Sequence, residues 1–140
     1  MALVLLLLSA ASAGADPERT TAIRIQAKEA DSAKRATELN KALRATKGAR
    51  AKVSAANVDA AVLDAECSIL QPACAATIGA KLGVTHMLVG ELDRRGARYT
   101  LTLSLINVST KQRVRSLREV SGATANVRKW ANTLYATYRL

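Results

Sequence analysis

The chain has 140 residues and 49% hydrophobic composition, long enough for one domain to bury a core without metal ions. Its formal net charge is +10, from 21 Lys and Arg against 11 Asp and Glu, and all of these charges lie beyond residue 15. Two cysteines and one histidine make a structural zinc site, which needs about four ligands, a weaker reading than a disulfide. With four aromatic residues (one Trp, three Tyr, no Phe) the chain is poorly equipped to stack nucleic-acid bases.

The first segment, residues 1–15, reads "MALVLLLLSAASAGA". An apolar run from Ala2 to Leu8 precedes small residues, and Ala11-Ser12-Ala13 fits the A-x-A pattern of a cleavage site. A spanning helix needs about 20 apolar residues, so a cleavable signal peptide is expected, with a mature domain over residues 16–140. A periplasmic or secreted location follows from that reading. Nothing in the mature chain reads as a transmembrane segment.

"TTAIRIQA" alternates, with Ile23 and Ile25 on one face and Arg24 and Gln26 on the other, and predicts a first strand over 20–27. Helix formers follow from Ala30 to Thr46, with Ala33, Ala36, Leu39, Asn40 and Leu43 as an inward stripe, Asp31 or Ser32 as cap and Lys47-Gly48 as stop. "ARAKVSA" over 49–55 is a short strand candidate, and Ser54 is placed to cap a helix carrying Val58, Val62 and Ala65. That helix is expected to end at a corner holding Cys67 and Cys74. Pro72 suits the first turn of the next helix, whose Cys74, Ile78 and Leu82 share a face and which Gly83 closes.

The second half is rich in strand signals. Met87 to Val89 is a nearly continuous apolar run, as in a central strand. A hairpin turn is expected at Asp93-Arg94-Arg95-Gly96, and Gly90 marks a bulge or a close backbone approach. Tyr99, Leu101, Leu103 and Leu105 then alternate with Thr100, Thr102 and Ser104. A further strand around Val114 to Val120 carries Arg113, Arg115 and Arg118, as charge-protected edge strands do. Val127, Trp130, Ala131, Leu134 and Tyr138 line one face of a last helix. The predicted order is β-α-β-α-α-β-β-β-α, an α+β domain with helices packed on one face of a mostly antiparallel sheet.

In an oxidising compartment Cys67 and Cys74 are expected to pair, closing a loop that contributes roughly 2 to 3 kcal/mol by the chain-entropy estimate. In a reducing compartment the same residues would be two buried thiols. His86 reads as a packed structural residue, and Glu91 and Asp93 as partners in surface ion pairs with the arginines beside them. No catalytic residues, cofactor or metal site are expected, so the chain is not read as an enzyme. An enzyme would need a pocket holding a perturbed acid or base.

The segment "CAATIGAKLGVTHMLVGELDRRGARYTLTLSLINVSTKQRV", residues 74–114, carries a Leu82-Gly83-Val84 helix end, a Leu88-Val89-Gly90 corner, a turn at Arg94 to Gly96 and the strand end Leu105-Ile106-Asn107-Val108-Ser109-Thr110. It resembles the TolB amino-terminal domain superfamily, whose relatives include the curli secretion protein and lipoprotein activators of penicillin-binding proteins. The resemblance implies an α+β fold and an adaptor in the cell envelope, with no catalytic motif to carry over. The expected partner-binding surface is the basic hairpin and edge strand, Arg94, Arg95, Arg98, Arg113, Arg115 and Arg118. An envelope protein is the expected partner. The alternatives are an anionic polysaccharide or lipid headgroup bound through the same arginines, or a hairpin whose charge is merely solvated. Nucleic acid is disfavoured by export and by the scarcity of aromatics.

Overall fold

A computed structural model describes residues 20–45, 55–122 and 126–138. The leader, the 49–54 part of the strand candidate, the Ser54 cap and the Lys47-Gly48 stop lie outside these residues. The elements are β1 (Thr21–Ala27), α1 (Ala30–Ala45), α2 (Ala55–Asp64), α3 (Pro72–Leu82), β2 (His86–Arg95), β3 (Arg98–Asn107), β4 (Gln112–Gly122) and α4 (Val127–Tyr138). The class is α+β. The four strands form one sheet in the order β1-β2-β3-β4, with β1 parallel to β2 and the other two pairings antiparallel.

The helices occupy both faces of the sheet, which corrects the expectation of a single covered face. Ile23, Ile25, Leu88, Leu92, Leu101, Leu103 and Leu105 meet α1 and α4 through Ala36, Leu39, Leu43, Trp130, Ala131 and Leu134. On the other side Ala22, Met87, Val89 and Ile106 meet α2 and α3 through Val58, Cys74, Ala75, Ile78 and Ile69 of the connecting loop. The physical reason lies in β1 and β2. A strand with one wet face alternates, whereas Met87, Leu88 and Val89 are consecutive and all buried, so each face needs a cover.

The α1 stripe buries Ala36, Leu39, Asn40 and Leu43 as expected and departs only at its start. Ala33 is exposed, and Ser32 is buried in its place. Neither Ser32 nor Asp31 caps the helix, because it starts upstream at Ala30. The Ser32 hydroxyl instead donates to the carbonyls of Glu29 and Leu92 (3.0 and 2.9 Å), tying the first turn to β2. At the start of the parallel pair, Thr20 and Thr85 clasp each other. The Thr20 amide donates to Thr85 Oγ1 (3.0 Å) and the Thr85 hydroxyl donates to the Thr20 carbonyl (2.9 Å).

Pro72 opens α3 in its first turn, and Gly83 closes it at φ 70°, with Val84 N–H reaching back to the Gly79 carbonyl (3.1 Å). A Cβ at position 83 would meet nothing within 4 Å, so the left-handed backbone alone makes glycine preferable. Gly83→Ala is expected to lower stability by about 1 kcal/mol, read as a lower urea midpoint at unchanged m-value. Gly90 has the close backbone approach rather than the bulge. A Cβ there would lie 2.6 Å from the Thr102 carbonyl oxygen and 2.6 Å from Leu103 Cδ2. The bulge falls instead on the β3–β4 pairing, between Leu105 and Ile106.

Candidate functional site

The hairpin is longer than its sequence suggests. Arg95 pairs with Arg98, so only Gly96, at φ 60°, and Ala97 form the turn, and Asp93 to Arg95 belong to the strand. This assigns the arginines to faces. Arg94 follows Leu88 and Leu92 in strand parity and reaches the α1 side, where its guanidinium sits over the Tyr99 ring (5.6 Å to the centroid). Arg35 of α1 approaches the same ring at 5.3 Å. Arg94 Nε also donates to the Gly96 carbonyl (3.1 Å), bracing the turn.

Arg95 and Arg98 project from the opposite face. There Arg95 Nε donates to Asp93 Oδ2 (3.2 Å), and Lys28 stands 3.9 Å from the same oxygen. Asp93 therefore forms the expected surface ion pair, though Lys28, from the segment between β1 and α1, had no sequence signal. No ion pair involving Glu91 is seen among the described residues. Glu91 faces Thr102 across the strands.

The β4 arginines are strung along the edge. Arg118 is opposite Thr102, Arg115 opposite Leu105 and Arg113 opposite Ile106, while Arg98 is opposite Gly122. At about 3.4 Å per residue, Arg118 is roughly 14 Å along the sheet from the Arg98 level and Arg113 roughly 27 Å. The six arginines thus do not form one patch. Strand parity puts Arg95, Arg98, Arg118 and, further off, Arg113 on the face that α2 and α3 cover only at its Met87 and Ile106 end. Arg94 and Arg115 lie on the α1 and α4 side. All six are exposed.

β4 is the sheet's edge, as its charge suggests. Its α4 side is anchored by Trp130, whose Nε1 donates to Glu119 Oε2 (2.8 Å). The opposite edge is sealed. Asn40 of α1 accepts from the Ile25 amide (2.8 Å) and donates to the Ile25 carbonyl (2.7 Å), standing in for a neighbouring strand residue. Arg44 Nη2 donates to the Ile23 carbonyl (2.6 Å). Burial holds the Arg44 guanidinium below its ordinary pKa, Asp59 opposes that, and Arg24 adds to it. Arg24 pairs with Asp59 of α2, and these residues with Thr37 and Lys41 line an open groove of about 540 Å³. This cluster was missed in the sequence. Its one signal is Asn40, a polar residue inside the apolar stripe of α1.

A wider groove of about 710 Å³ between α1 and α4 is lined by Glu38, Lys41, Arg128 and Asn132 with two alanines and Val127. No group of three or more His, Cys, Asp or Glu converges among the described residues. His86 Nδ1 lies 2.8 Å from Thr85 Oγ1, a local contact at the start of β2. Cys67 and Cys74 are joined in a disulfide with Cα atoms 5.9 Å apart. No helix of the described residues is long and apolar enough to cross a membrane.

A four-stranded mixed sheet with one parallel pairing and helices on both faces places the chain in a known fold, that of the TolB amino-terminal and LpoB C-terminal domains. The LpoB C-terminal domain from Salmonella enterica superposes with a TM-score of 0.58 at 17% identity, covering 79% of this chain and 87% of that domain. TolB from Acinetobacter baumannii gives 0.58 at 17% identity over 89% of this chain, which corresponds to 28% of that protein. Lipoprotein GNA1162 from Neisseria meningitidis gives 0.56 at 9% identity, covering 88% of this chain and 95% of that one. No family model and no curated protein sequence matches the chain.

Proposed function

We propose that this chain is a non-catalytic adaptor of the cell envelope, exported by its leader and contacting an envelope protein through the basic hairpin and edge strand. The observation that carries the reading is the fold shared with LpoB, TolB and a neisserial lipoprotein. Three further features support it. The segment 1–15 has the form of a cleavable signal peptide, Cys67 and Cys74 are placed to form a disulfide, and Arg95, Arg98 and Arg118 share an exposed face.

Arg94, Arg113 and Arg115 complete the proposed surface, with Arg94 contributing by bracing the turn over Tyr99. The test is photocrosslinking in the native cell with the probe at Arg98 and a control at Lys41 on the α1 side, followed by mass spectrometry of envelope fractions. A discrete protein captured from Arg98 and absent at Lys41 is the expected result. A smear of polysaccharide or lipid, abolished by moderate salt, would replace the adaptor with a polyanion binder. Recovery from the cytosol with reduced cysteines would overturn the envelope assignment itself.

A further inference from the structure

The two edges of the sheet are treated differently, and the difference points to how a partner is held. At β1 the main chain is closed by Asn40, which uses both its donor and its acceptor on Ile25, and by Arg44 on Ile23. β4 pairs only with β3, and no described strand lies beyond it. Its residues are exposed from Gln112 through Ser116, and at Arg118, Val120 and Gly122. A strand of 11 residues presents an outer row of N–H and C=O groups roughly 37 Å long. Of the three large hydrophobic residues that are exposed among the described residues, two, Val114 and Val120, lie on this strand.

Charge selects what can add to that edge. β4 carries Arg113, Arg115 and Arg118 against Glu119, whose carboxylate already accepts from Trp130. Two copies of β4 laid side by side would bring like charges together, which disfavours the pairing, so the arginines act against self-association. They favour an extended segment with carboxylates on the face of Arg113 and Arg118, while its other side chains lie beside the half-buried Leu117.

We propose that the outer edge of β4 accepts an extended acidic segment of a partner protein as a fifth strand. The main chain would supply the affinity, and Arg113 and Arg118 the choice of sequence. The proposal rests on the adaptor reading and specifies the geometry of its contact. Leu117 would be covered by the alternate apolar side chains of the incoming strand, while Val120, on the face of Arg118, would lie against the methylenes of its carboxylate side chains.

The probe is a fluorescent decapeptide of alternating glutamate and valine, titrated into the mature chain beside a twin with an N-methyl group on every amide. The unmodified peptide is expected to bind and to slow hydrogen exchange at alternate amides within residues 112–122, because strand addition engages every second N–H. The methylated twin is expected to bind at least about ten-fold more weakly, since its ladder cannot form. Arg113→Ala and Arg118→Ala are each expected to weaken binding roughly two- to five-fold, the range of exposed ion pairs.

Equal binding of the two peptides without protection in 112–122 would overturn strand addition and leave the basic surface as a purely electrostatic contact. No binding of either peptide, with a protein still captured from Arg98, would overturn the edge and spare the adaptor reading. Protection of 112–122 that depends on protein concentration alone would overturn the acidic segment in favour of a second copy. Failure of the adaptor reading would show separately, as no protein captured from Arg98 in the cell.

Discussion

Asn40→Ala is expected to be among the most damaging single substitutions in this chain, lowering stability by about 2 to 5 kcal/mol. The carboxamide serves the amide and the carbonyl of Ile25 at 2.8 and 2.7 Å, and both Asn40 and Ile25 are buried. Removing it leaves one donor and one acceptor without partners where water does not reach, each costing about 1 to 3 kcal/mol. Asn40→Leu would keep most of the volume and lose both bonds, so it is expected to be no milder. Asn40→Asp would keep the acceptor for the Ile25 amide, lose the donor to its carbonyl and bury a charge. Urea unfolding followed by circular dichroism measures all three. A loss below 1 kcal/mol for Asn40→Ala would show that water enters and replaces the side chain, and that β1 is not sealed in the way described.

The same substitution bears on association. An unsealed β1 edge exposes main-chain groups that other chains can pair with. Asn40→Ala is therefore expected to promote aggregation on partial unfolding more than a core truncation of equal energetic cost. Arg44 blunts the effect at Ile23 because its guanidinium stays on that carbonyl.

How much of this was legible in the sequence depends on whether the signal was local. The alternation of Tyr99, Leu101, Leu103 and Leu105 placed β3 and its inner face, because strand parity is a property of consecutive residues. Pro72 and Gly83 bounded α3 for the same reason, since each acts through its own backbone. Two covered faces were also written in the run Met87-Leu88-Val89, but a reading built on the alternation of β3 assigned one face to solvent. The separation of the arginines was not legible. It depends on strand register and on a two-residue turn at Gly96 and Ala97, and a reading that ends the strand before Asp93 cannot assign Arg94 and Arg95 to opposite faces. Asn40 looked like an interruption in an apolar stripe, because its partner lies 15 residues back in the chain. The proposed envelope residence draws on residues 1–15 and the cysteine pair, of which the described residues contain the second.

Breaking the disulfide is the second large effect. Cys67 and Cys74 close a short loop, and the chain-entropy estimate for a loop of that size is about 2.5 kcal/mol at room temperature. The cross-link also holds Ile69, which is buried against α2 and α3, and an isoleucine side chain contributes about 1.5 to 3 kcal/mol by burial, part of which is exposed to loss when the loop opens. The two sulfur positions are not equivalent, since Cys67 is exposed and Cys74 is buried. Cys67→Ser is expected to cost only the cross-link, leaving Cys74 as a small apolar side chain in its core. Cys74→Ser loses the cross-link and also places a hydroxyl among Ile78, Val58 and Ile69, so it is expected to be worse by about 1 kcal/mol or more. Thermal unfolding with and without reductant separates these terms. The reduced wild type should match Cys67→Ser, with Tm lowered by roughly 5 to 15 °C, and reductant should leave Cys67→Ser unchanged. If reduction, verified by thiol labelling, leaves the wild-type Tm where it was, Ile69 is held by packing alone. The cysteine pair would then contribute nothing measurable to stability, and its support for an oxidising compartment would go with it.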